Sequence, residues 1–194
     1  MNECWDKIKH LFENDDGSLP DIYIEPVSDQ ELIKIYGWVS SVSNPPVDAS
    51  AWSTIKQCDV LLSEIDNPAK RFVAGELELF RHALLGLKIN GVEIPQLTVE
   101  ISTNCVSFDY RMGPEWGSEQ IAALCELLRK IKMIAPTARI FQSWEGSLIT
   151  RQRANAGVPP DRSRISHENR ACPFPCHHNH KSIMSECCSP AFFI

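Results

Sequence analysis

The chain predicts an α+β fold: a sheet of about four strands in a split β-α-β, ferredoxin-like arrangement, with extra helices on one face and a flexible C-terminal tail. Three observations carry that expectation. Residues 97–144 read as strand, tight turn, strand, capped helix and strand, with apolar residues alternating where strands are expected and recurring every three or four positions in the helix. Residues 29–84 show apolar residues at helical spacing, punctuated by prolines. Near residue 148 the composition turns polar, rich in Pro, Gly and charge, and loses periodicity. At 194 residues and 43% hydrophobic, the chain has room for one domain, residues 1–148, with a Cys/His-containing tail over 149–194.

Taken in order, Trp5, Ile8, Leu11 and Phe12 recur at helical spacing and predict a short amphipathic helix over residues 3–13. Asp21-Ile22-Tyr23-Ile24-Glu25, bounded by Pro20 and Pro26, predicts a strand. Ser28-Asp29-Gln30-Glu31 is a capping box: the serine oxygen accepts a free backbone N–H and the glutamate reaches back to the serine amide. It opens a helix with Leu32, Ile35, Tyr36 and Val39 inward, broken by Asn44-Pro45-Pro46. Trp52, Ile55, Leu62 and Ile65 predict a second helix over 50–66. Asn67-Pro68 predicts the start of a third, running through Phe72, Val73, Leu77, Phe80 and Leu84 to Gly86, with His82 on its surface or partly packed.

Asn90-Gly91 between apolar alternations predicts a small hairpin. Residues 97–101 and 106–110 alternate as half-buried strands across Thr103-Asn104. Gly113-Pro114-Glu115-Trp116-Gly117 turns the chain, with Trp116 expected in a surface loop, and Ser118 is the expected cap. Ile121, Leu124, Cys125, Leu128 and Ile131 line the helix that follows, and residues 139–144 form the last strand.

Charge is distributed unevenly. Residues 1–148 hold 13 Lys+Arg against 22 Asp+Glu, a net −9, whereas residues 149–194 hold 6 against 3. A body that acidic argues against nucleic acid, whose phosphates require a basic face, and favours a basic protein partner. No window approaches the roughly 20 apolar residues of a membrane span, and the N-terminus has no basic segment followed by an apolar run, so the expectation is a cytoplasmic protein that engages no membrane.

Catalytic signatures are missing: there is no G-x-S-x-G, no phosphate-binding G-x4-G-K-[ST] and no H-E-x-x-H. Cys58, Cys105 and Cys125 stand singly among apolar residues, as buried reduced cysteines do, and the body offers only His10 and His82 as bases. Metal-ligand chemistry is confined to the tail, where Cys172, Cys176, His178 and Cys187 form a set that can supply zinc with four ligands. The knuckle spacing of standard zinc modules is absent, and a tail with adventitious metal affinity is the competing reading, so no cofactor is assigned to the body.

Asp109, Glu115 and Glu119 cluster about the turn, with Tyr110 and Trp116 as candidate aromatic anchors. Solvated acidic faces and core aromatics are the ordinary alternative. The run 108–120, FDYRMGPEWGSEQ, followed by Ala122-Ala123-Leu124 and by Ala135 to Ile140, resembles small bacterial immunity proteins of polymorphic toxin systems. That resemblance implies a non-catalytic protein that binds and blocks a cognate toxin, often a basic one. The alternative function is zinc binding through the tail.

Overall fold

The computed structural model describes residues 6, 8–12, 15, 17 and 19–143. They form a mixed α+β fold around a five-stranded, wholly antiparallel sheet. Its members in spatial order are β4 (Phe80–Leu84), β7 (Leu97–Ser102), β8 (Cys105–Tyr110), β1 (Asp21–Glu25) and β9 (Arg139–Ser143). The first strand in sequence is therefore interior, flanked by the two that come last. Because β1 is antiparallel to both β8 and β9, those two run in the same direction on either side of it.

Register explains the burial. Phe80, His82 and Leu84 lie opposite Ile101, Val99 and Leu97, which lie opposite Val106, Phe108 and Tyr110, and the row continues through Ile24 and Ile22. This face is buried throughout, whereas the alternate residues Asp21, Thr98, Glu100 and Asp109 stay partly solvated. Helix α1 (Asp29–Ser41) lies on the buried face, since Tyr36 meets Phe80 and His82 edge-on. Helix α3 (Ser118–Ile134) buries Ile121, Leu124, Cys125, Leu128 and Ile131 in the same core.

Several local signals act as expected. Ser28 Oγ accepts from the Glu31 amide while Glu31 takes the Ser28 amide at 2.8 Å, closing the capping box. Asn67 caps α2 (Pro68–Val73) with Pro68 in the first turn. Asn90 and Gly91 both take positive φ, 52° and 82°, the pairing needed to close β5 (Lys88–Ile89) on β6 (Val92–Glu93) in a two-residue turn.

Other elements differ. Residues 50–66 are a hairpin, β2 (Ser50–Ser53) and β3 (Cys58–Leu61), followed by a single 3-10 turn, Leu62–Glu64, in place of a helix. The helical spacing there is coincidental: Trp52 and Ile55 are exposed, and the inward residues are Ala51, Ser53 and Leu62. A four-residue loop closes the hairpin, with Gln57 at φ 54° and its amide bonded to the Ser53 carbonyl at 2.8 Å. Helix α2 ends at Val73, because Gly75 takes φ 72° and redirects the chain into β4. His82 consequently sits on a strand and is buried. Gly117, with extended backbone, is the cap of α3 and Ser118 its first residue, with no side-chain cap bond. Of the expected N-terminal helix, the described Asp6 and Ile8 are helical and Lys9–Leu11 form a 3-10 turn, docked by Ile8, Leu11 and Phe12, while Trp5 lies outside the described residues.

Candidate functional site

The connection from β8 to α3 is built on an aromatic cluster. Phe12 stacks on Tyr110 at 4.8 Å between centroids, and Trp116 packs against both, at 4.9 Å and 5.4 Å. The Trp116 indole donates to the Arg111 carbonyl at 2.8 Å, so its one polar atom is satisfied inside the core. The Gly113 amide bonds the Phe12 carbonyl at 2.8 Å, and Arg111 pairs with Asp15 at 2.8 Å. Trp116, expected in a surface loop, is thus 3% exposed and Tyr110 is 1% exposed. Both support the loop from beneath. The Tyr110 hydroxyl receives a bond from Gln142 at 2.8 Å, and burial raises its pKa.

The sequence-predicted binding residues are therefore distributed over three places. Asp109 lies on the opposite face of the sheet, 2.8 Å from Arg81. Tyr110 and Trp116 are in the core. Glu115 and Glu119 are exposed, one on the turn and one in the first turn of α3. Glu115 joins groups that sequence reasoning did not associate with it: a cleft of about 380 Å³ opens between the β8–α3 connection and the β5–β6 hairpin, lined by Glu93, Gln96, Glu115 and Gln120 over Leu84 and Ile94. Glu93 also reaches Lys88 at 3.6 Å. The Asn90-Gly91 signal locates the hairpin, but nothing local shows that α3 will pack beside it.

Two carboxylates and two amides over an apolar base suit a Lys or Arg side chain, whose stem packs on the aliphatic groups while its head takes charge-assisted hydrogen bonds. Among the described residues the thiols offer no comparable chemistry. Burial, then Glu25 and Glu100, push the Cys105 thiol up to about 12. Cys125 is buried and Cys58 exposed on the hairpin. The imidazole of His82 is engaged on both nitrogens: Nδ1 faces the Ala83 carbonyl at 3.0 Å and donates to it, so Nε2 accepts from the Tyr36 hydroxyl at 3.0 Å. That arrangement requires a neutral ring, and burial lowers its pKa.

Cys172, Cys176, His178 and Cys187, with Trp144, lie outside the described residues. Among the described residues, no three His, Cys, Asp or Glu side chains gather as metal ligands do, and no helix is long and apolar enough to cross a membrane.

No family model matches the chain. No curated protein matches it either. Among solved structures, it is similar to a chain from the crystal structure of the toxic C-terminal tip of CdiA from Pseudomonas aeruginosa in complex with immune protein. The identity is 14% and the TM-score 0.44, with 68% of this chain and 88% of that chain covered. A likeness of that degree carries no argument about activity.

Proposed function

We propose that this is a non-catalytic binding protein, an immunity-like inhibitor that occludes a basic toxin or other basic protein partner. The observation that carries the reading is the acidic cleft of Glu93 and Glu115, held on a connection that the Phe12–Tyr110–Trp116 cluster makes rigid; Glu119, exposed in the first turn of α3, adds to the negative charge of the same connection. The net −9 over residues 1–148 supports the sign of the partner, and the resemblance of residues 108–140 to immunity proteins supports its class. Within this reading the binding set narrows to Glu93, Glu115 and Glu119. Asp109, on the other sheet face, is a more distant contributor to the same negative field. Tyr110 and Trp116 act as supports.

The split β-α-β arrangement is part of the proposal. Its support is the β8–α3–β9 unit, two same-direction strands joined by a helix with β1 between them, to which β4 adds an outer strand beyond β7.

The test is isothermal titration and co-purification with the product of the adjacent reading frame. Saturable, salt-sensitive binding is expected. Reversing Glu115 with Glu115→Lys should weaken it by about two orders of magnitude, since juxtaposed like charges cost several kcal/mol. No binding, and no rescue of cells expressing that product, would overturn the reading.

A further inference from the structure

The hairpin β2–β3 exposes apolar side chains that its fold has no evident need to expose. Eight large hydrophobic residues stand out in solvent among the described residues, and five belong to residues 47–79: Val47 at 66%, Trp52 at 42%, Ile55 at 68%, Leu61 at 44% and Leu79 at 59%. In the hairpin register Ser50 faces Leu61 and Trp52 faces Asp59, so Trp52 and Leu61 lie diagonally on one face, close enough to touch one continuous surface. Ile55 is in the loop at the tip. The other face is inward, with Ala51 and Ser53 buried.

This arm is held firmly. The Glu78 amide bonds the Trp52 carbonyl at 3.0 Å, the Thr54 amide bonds the Glu76 carbonyl at 3.1 Å, and the Leu62 amide bonds the Ala49 carbonyl at 2.9 Å. The Thr54 hydroxyl adds a bond to the Gly75 carbonyl at 2.7 Å. A two-stranded ribbon is marginal by itself, and the bonds to Gly75, Glu76 and Glu78 fix it against the segment that leads into β4. The outcome is an ordered display of a tryptophan and aliphatic groups, the residue types that concentrate binding energy at protein interfaces.

Charge selects the occupant. Residues 47–79 hold six acidic residues, Asp48, Asp59, Glu64, Asp66, Glu76 and Glu78, against Lys56, Lys70 and Arg71. Glu76 is paired with Arg71, while Asp59 lies across from Trp52 and the Glu78 backbone bonds beside it, both exposed. A negative rim around an apolar centre repels a second copy of itself and complements a positive rim around an apolar side chain.

We propose that the β2–β3 hairpin is a docking surface for a basic protein, which packs an aliphatic or aromatic side chain against Trp52, Ile55 and Leu61 and sets Lys or Arg against Asp59 and Glu78. The proposal does not depend on the cleft at Glu115, and either can fail without the other.

Panning a phage-displayed random peptide library on the immobilised full chain tests it without knowledge of the natural partner. Enriched peptides are expected to carry Lys or Arg next to an aliphatic or aromatic residue, and to bind Trp52→Ala about thirtyfold more weakly, the scale of an interface hot spot. Asp59→Lys with Glu78→Lys should reject the same peptides, and Glu115→Lys should retain them. Circular dichroism of each variant confirms an unchanged fold. Failure to enrich, enrichment of acidic peptides, or binding indifferent to Trp52 would overturn the proposal. A wild-type dimer in sedimentation that Trp52→Ala dissolves would make a second copy the occupant and overturn it equally. So would competition by a synthetic peptide of residues 149–194, which would make the occupant the chain's own tail. Peptide capture at the hairpin with no affinity for the adjacent gene product would uphold this proposal while defeating the inhibitor reading.

Discussion

Trp116 and Trp52 are the same residue in two regions that use it in opposite ways. Trp116 closes the connection into α3, with two aromatic rings against it and its indole N–H bonded to a carbonyl. Trp52 projects from a ribbon whose buried side is made of Ala51 and Ser53. In the first region the large apolar groups hold the fold together. In the second, small residues and backbone bonds do that, and the large apolar groups are left outside. A tryptophan's role is therefore set by what the rest of the chain brings to it.

The sharpest way to break this comparison is to truncate the buried member. Trp116→Ala should destabilise the protein by about 3–5 kcal/mol in urea unfolding, through lost burial and the cavity left against Phe12 and Tyr110. A loss below about 1 kcal/mol would mean that the cluster is not the support described.

Next in size is the buried polar pair beneath the sheet's outer strand. Tyr36→Phe leaves His82 Nε2 an unsatisfied buried acceptor and should cost about 1–3 kcal/mol. The same pair predicts acid sensitivity. The folded-state pKa of His82 lies below its ordinary 6.5, so its contribution is complete above that value and is lost as pH falls through it, when the unfolded chain takes up a proton that the folded one resists. Urea midpoints should begin to fall near pH 6.5, above the range in which Glu31 and Glu126, both lowered from 4.5, contribute. In His82→Gln that upper part of the pH profile should flatten.

Smaller again is the cap of α1, where Ser28→Ala should cost about 1 kcal/mol by freeing the Glu31 amide. Last comes Trp52→Ala, expected within about 0.5 kcal/mol of the parent because the side chain lies on the exposed face of the hairpin, outside the core cluster. If it destabilises as much as Trp116→Ala, the hairpin is part of the core and the comparison collapses.

The same contrast explains what could be read from the sequence. Signals complete within a few residues were legible: Ser28 with Glu31, Asn67 with Pro68, Asn90 with Gly91, and the alternation of 97–110. Residues 50–66 misled because reading Trp52, Ile55, Leu62 and Ile65 as a helical stripe presumes that apolar residues point inward, and two of the four do not. Trp116 misled for the converse reason. Its flanking glycines suggest a loop tip, but Phe12, which buries it, arrives from more than a hundred positions earlier. The cleft was half legible. Glu115 was identified, while Glu93 and Gln96 reach it only through the packing of the β5–β6 hairpin beside α3.

The place of β1 in the sheet has a consequence for how the protein is made. Residues 21–25 leave the ribosome early, yet both of their pairing partners, residues 105–110 and 139–143, are translated long afterwards. Until then Ile22 and Ile24 lack one or both of the neighbours that cover them in the folded sheet, a condition exposed to wrong pairing. The sheet cannot finish assembling until Ser143 has left the ribosome. It closes around its oldest strand once synthesis has passed Ser143, so the nascent chain's risk of aggregation is concentrated in that interval.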